Sequence, residues 1–249
     1  MSARSYFTIL MFSLAFTSVA QSQDSVRHSA LSVSVGFNNM RNKDNFQSPY
    51  TYKGTNLIIN SIYTTAGLRG QHIIDLTYAG GKMKSVVSPE AKNTLVLFNY
   101  DYMLNLKNKT VKKIFVPALG IGIHTLLSST NYLPNIDLPV NYLSGTAFVT
   151  LSGNALFHLT KKSDLRIQGG VPVIGVVYRP DFEINGKTLT KLSSIGDGGI
   201  FSVKLEYEYK FTSKLSVAAT YHYNYLSFDE PRPVTILQNG IFVGVRKIL

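Results

Sequence analysis

Five histidines and fourteen carboxylates are the side chains in this sequence with the means to move a proton, and no cysteine accompanies them. A histidine two positions before a serine would set a base and a hydroxyl on one face of an extended strand, a spacing that hydrolytic chemistry can use. The nearest spelling is His222-Tyr223-Asn224, which has the spacing and lacks the nucleophile. His124-Thr125 and His158-Leu159 come no closer, and the acidic pair Asp229-Glu230 has no histidine near it in sequence. Such groups can still converge in space, but without a local motif each histidine is expected to be a satisfied interior group. Gly80-Gly81, Gly169-Gly170 and Gly198-Gly199 lack the spacing and the following helix of a phosphate cradle; bulges or close strand packing account for them better. The missing thiols exclude a disulfide framework, a thiolate metal site and a catalytic cysteine. No cofactor, metal or catalytic residue is expected.

The elements that carry these residues read as strands. From Phe201 to Lys210 the odd positions Phe201, Val203, Leu205, Tyr207 and Tyr209 are apolar or aromatic, and the even positions Ser202, Lys204, Glu206, Glu208 and Lys210 are polar. Leu215 to Tyr225 repeats the pattern, as does Leu31 to Asn38. Period two belongs to strands; a helix repeats every 3.6 residues. Strands are expected near 29–40, 54–67, 70–83, 93–105, 112–127, 142–159, 164–178, 199–211, 214–227 and 237–248, with eight or twelve left open as counts. Short links at 68–70, 106–111, 160–163 and 211–213 alternate with long ones at 41–53, 84–92, 128–141, 179–198 and 228–236. Transmembrane barrels join their strands in this way, with short periplasmic turns and longer extracellular loops.

Residues 1–20 read as a secretory signal: Arg4, an apolar stretch from Tyr6 to Val19, then small Ser18 and Ala20, with cleavage expected before Gln21. Residues 21–249 would then be one domain. The fold expected is all-β, a transmembrane antiparallel up-and-down β-barrel of about ten strands. A soluble barrel of the lipocalin type would instead turn the apolar face inward; the charges on the polar face and the aromatics near strand ends favour the membrane. The final strand, Asn239 to Leu249, resembles the C-terminal strand by which outer-membrane barrels are recognised for assembly. The mature chain as a whole resembles the small outer-membrane barrels common in Bacteroidota. That resemblance implies a fold and a compartment, the outer membrane of a Gram-negative bacterium, and no particular activity.

With the apolar stripes facing lipid, Asp75, Asn99, Asp101, Arg166, Gln168, Lys204, Glu206, Glu208, His222 and Asn224 fall inside as a polar network. Buried charges are costly unless paired, so ion pairs are expected among them. The short-turn rim is basic, with Arg69, Lys107, Lys109, Lys112, Lys113, Lys161, Lys162, Lys210 and Lys214. A formal net charge of +11 would suit nucleic acid, but export argues against that partner. Outer-membrane lipid is the expected partner, together with a protein that docks on the periplasmic rim or the long loops. The function expected is a non-enzymatic structural or accessory subunit of an outer-membrane assembly. A narrow pore for small solutes and a lipid-modifying enzyme are the alternatives.

Overall fold

In the computed structural model the described residues are 28–45, 48, 50–67, 70–87, 90–106, 115–132, 140–184, 187–194, 197–229 and 233–249. The expected signal segment and its cleavage point lie outside them. The elements are β1 (His28–Asp44), β2 (Thr51–Ala66), β3 (Gly70–Met83), β4 (Ala91–Asn105), β5 (Phe115–Tyr132), β6 (Val140–His158), β7 (Ser163–Ile184), β8 (Lys187–Ser194), β9 (Gly198–Lys210), β10 (Leu215–Phe228) and β11 (Val234–Ile248). All the pairings are antiparallel. The wall runs β6-β5-β4-β3-β2-β1-β11-β10-β9-β7, and β7 pairs again with β6 to close it. Ten strands therefore form the barrel, closed by the pairing of β6 with β7.

Alternation decides which side chains go where. On β1, Leu31, Val33, Val35 and Phe37 point out, while Ser34 and Asn38 are buried inside. Phe37 and Ile241 keep 64% and 65% of their surface open, values that suit a side chain bathed in hydrocarbon. Aromatic pairs mark the two ends of this belt. Phe115–Phe157 and Tyr209–Phe211 lie at the short-turn end, with ring centroids 4.9 and 5.3 Å apart. Phe201 and Tyr225 lie at the long-loop end. The barrel is of the transmembrane, outer-membrane kind, and lipid contacts its outer face.

Residues 179–198, expected as a long loop, instead hold the end of β7 and the whole of β8. The cause is a bulge: Val149 faces Ile174 and Thr150 faces Pro172, which leaves Val173 without a partner. Pro172 has no N–H to give the ladder and sits where it breaks. Below the bulge even positions of β7 face in, and above it odd positions do, so Val177 and Arg179 are buried. On its other side β7 changes partner. It pairs with β9 from Ser163↔Tyr209 to Gly170↔Ser202, then with β8 from Ile174↔Ser194 upward. Gly198 opens β9 at a φ of 124°, a conformation glycine adopts without strain.

Candidate functional site

The barrel interior holds the polar side chains that sequence pattern placed there, and it divides into two layers. In the half nearer the short turns the layer is charged. Lys204 Nζ donates to Asp75 Oδ2 at 3.0 Å. Their strands, β9 and β3, are separated by β10, β11, β1 and β2 on one side and by β7, β6, β5 and β4 on the other. This bond therefore spans the lumen from wall to opposite wall. Asn60 donates to Asp75 and, at 2.7 Å, to Thr77 Oγ1.

Beside this pair, Arg166 Nη1 lies 3.0 Å from Glu206 Oε1, and Arg246 Nη1 lies 3.2 Å from Glu208 Oε2 and 3.6 Å from Glu206 Oε1. Ser216 donates to Glu208. A third group gathers on Asp101. Ser152 donates to it, Gln168 Nε2 donates at 3.3 Å, and His124 Nε2 lies at 3.1 Å. Asn99 and His222 are buried in the same layer, and Asn224 Nδ2 donates to Gln238 Oε1 at 3.3 Å. In hydrocarbon surroundings each of these charges would be prohibitive alone; partners bonded on several sides make the layer tenable. Ile62, Thr64, Ile73, Arg166, Gln168, Lys204 and Glu206 leave between them room for about one water.

Ser152, His124 and Asp101 have the composition of a hydrolytic triad without its wiring. Serine and histidine both contact the carboxylate, so the histidine does not stand at the serine hydroxyl. His158 Nδ1 meets Asp164 Oδ1 at 2.8 Å at the short-turn end, where Lys210 Nζ also binds Asp164 at 2.6 Å. Among the described residues no histidine couples to Asp229, which is exposed beyond β10; Glu230 lies outside them.

Toward the long loops an apolar cluster fills much of the interior, set among buried Asn38, Asn42, Asn56, Asn93, Ser128 and Thr130. Leu95, Leu97, Leu126, Phe148, Val177, Ile200, Leu226, Phe228, Val234 and Ile236 join one buried cluster with Met40, Tyr52, Ile58 and Met83. Above it Arg179 Nη2 donates to Asp44 Oδ2 at 2.6 Å, side chains 2% and 5% exposed, with the guanidinium 5.7 Å over the Phe228 ring. Sequence pattern missed this layer. Asp44 and Arg179 fall within the long links expected at 41–53 and 179–198, and on β4 the run Leu95-Val96-Leu97-Phe98 is apolar on both faces.

Of the basic rim, Lys161 and Lys162 are exposed in the turn between β6 and β7, Lys210 binds Asp164, and Lys214 is exposed before β10. Arg69, Lys107, Lys109, Lys112 and Lys113 lie outside the described residues. At the opposite end two carboxylates, Glu90 and Asp197, are held ionised. Hydrogen bonds from Lys84 and Lys82 keep Glu90 below the usual carboxylate range, and the Ser194 backbone N–H and hydroxyl do the same for Asp197.

No protein-family model matches the chain, and no curated protein matches its sequence. Solved structures do. The outer membrane protease OmpT from Escherichia coli is similar with a TM-score of 0.59 at 10% identity, over 92% of this chain and 99% of that one. The beta domain of the Bordetella autotransporter BrkA gives 0.44 at 10% identity, over 91% of this chain and 100% of that one. Neisserial surface protein A gives 0.38 at 12%, over 88% and 97%. The OmpT likeness is one of fold, that of an outer-membrane β-barrel.

Proposed function

We propose that this protein is a non-conducting outer-membrane barrel, of the small kind common in Bacteroidota, that serves as a structural or accessory subunit and works through its rims. The observation that carries this reading is the Lys204–Asp75 bond between opposite walls, with the apolar layer stacked above it. A ten-strand barrel is scarcely wider than its own side chains, and here two layers of different chemistry occupy that width. The unwired Ser152–His124–Asp101 group argues against hydrolysis in the lumen. Residues 1–20 act in this reading as a cleaved signal, with Gln21 as the mature N-terminus. The basic short-turn rim and the long loops are the surfaces for a protein partner.

Planar-bilayer recording tests the reading. The purified protein should insert without passing steady current, and a stable ohmic conductance would end the non-conducting assignment. Labelled phospholipid and lipopolysaccharide should survive incubation with it unchanged. Cross-linking in intact outer membranes, followed by a pull-down, should recover a protein partner; a chain that always runs alone would leave the accessory role without support.

A further inference from the structure

Six cations stand on the outer face of four neighbouring strands, just beyond the apolar belt at the long-loop end: Arg41 and Lys43 on β1, Lys53 on β2, Lys82 and the adjoining Lys84 at the end of β3, and Lys92 on β4. Each follows the lipid-facing stripe of its own strand. On β1 the sequence of outward residues is Val35, Phe37, Asn39, Arg41, Lys43, and on β3 it is Leu76, Tyr78, Gly80, Lys82. Snorkelling toward headgroups explains a lysine at such a height. It does not explain their arrangement. Arg41 is paired directly with Lys53, Lys53 with Lys84, and Lys82 with Lys92. Lys53 and Lys84 exchange both backbone hydrogen bonds, at 2.9 and 2.8 Å. Like charges directly opposite one another on a sheet are destabilising.

One described carboxylate meets this band: Glu90, 3.1 Å from Lys82 and 3.0 Å from Lys84. Asp44 is turned inward to Arg179. Nor is the band a general feature of the rim. The matching outward positions on β10 and β11 are Tyr225, Ser227, Thr235 and Leu237; apart from Arg41 and Lys43 across on β1, the exposed charges near them are Asp197 and Asp229. Lys187 and Lys191 on β8 are further cations at this end, but their strand partners are Ile184 and Val177; a merely solvated rim would not set its cations face to face as this arc does.

We propose that the arc Arg41, Lys53, Lys82, Lys84 and Lys92 is a binding site for the phosphates of the phosphorylated glycolipid that forms the outer leaflet. Phosphate oxygens accept charge-assisted bonds from several lysines and one guanidinium at once, and relieve the repulsion that the pairing builds in. The lipid's acyl chains then lie against Phe37, Leu57, Leu76 and Tyr78 below. This rests on the barrel's orientation, long loops outward, and not on the lumen being closed. A conducting barrel would therefore sink the proposed function and leave this site standing.

The test is a titration of the intact, detergent-solubilised protein with bisphosphorylated lipid A and with the same lipid A after its phosphates are removed. Each cation near an anionic surface is worth about fivefold in binding. The wild type should therefore prefer the phosphorylated lipid by at least about tenfold. The variant Arg41→Gln/Lys53→Gln/Lys84→Gln/Lys92→Gln should lose that preference while keeping its heat-modifiable mobility on a gel. Lys161→Gln/Lys162→Gln, at the other rim, should keep it. Glu90→Gln should strengthen it, which also decides the matter if the fourfold variant fails to fold. Equal affinity for the two lipids overturns the proposal. So does a preference that survives the fourfold change, or a Glu90→Gln variant no tighter than wild type. Competition by millimolar inorganic phosphate would overturn the lipid as ligand and leave a free-anion site.

Discussion

The two halves of the lumen solve one problem by opposite means. The short-turn half is tied by bonds that reach across it, as Lys204 does to Asp75. The long-loop half is filled largely by bulk, with Phe148, Phe228, Leu95 and Leu126 in one buried cluster. Directional bonds depend on the identity of each partner and tolerate little change in it. Dispersion and burial depend on volume and are indifferent to identity among apolar residues of equal size. One barrel thus carries a specifying layer and a space-filling layer, and they should answer mutation differently.

The sharpest contrast comes from stranding a charge. Asp75→Ala should cost about 3–5 kcal/mol, because Lys204 is left buried without its partner. Denaturant unfolding from detergent or lipid measures it, and a cost under about 1 kcal/mol would mean that the charged layer is wet and loosely held. In the apolar layer Leu97→Ala should cost roughly 2–5 kcal/mol by opening a cavity, whereas Leu97→Met should cost less than about 1.5 kcal/mol. If the two substitutions proved equally harmful, bulk would not be what matters there. On the outer face Leu205→Arg should cost about 2–4 kcal/mol near the midplane. Because the chain has no native thiol, single cysteines at 203, 205 and 207 can carry probes; lipid-borne quenchers should reach these and miss 204 and 206. The smallest effect is the most telling for the comparison. Removing both charges together, as Asp75→Leu/Lys204→Met, should leave stability within about 1 kcal/mol of wild type, since apolar replacement of a buried pair is often neutral. A loss as large as that of Asp75→Ala alone would show the pair to be worth more than the repair of its own desolvation.

Sequence pattern made the charged layer legible and the apolar one nearly invisible, for a physical reason. Glu206 and Val203 differ in chemistry, so period two on β9 sorts them into inside and outside at a glance. On β4, Leu95 and Leu97 share the parity of Asn99 and Asp101, and extending that parity would have placed them in the lumen. Their outward neighbours Val96 and Phe98 are apolar too, and the contrast that reveals alternation vanishes. Arg179 was beyond reach by parity, because the bulge at Val173 exchanges the faces of β7; Pro172 was the one visible hint. The pairing of Arg41 with Lys53 needed the register itself, which alternation within a single strand does not supply.

The change of partner along β7 has a kinetic consequence. Between the Gly170↔Ser202 pair and the Ile174↔Ser194 pair no ladder contact joins β7 to its neighbour on that side. What holds that stretch is packing, for a methyl group added at Gly199 would run into the Pro172 ring. Packed but unbonded backbone is where native-state opening begins. In deuterated buffer the amides of Val171, Val173 and Gly199 should exchange early, and those of Leu205 and Tyr207, zipped on both sides, should be among the last. Opening would then start at this seam and reach the doubly paired stretch of β9 last.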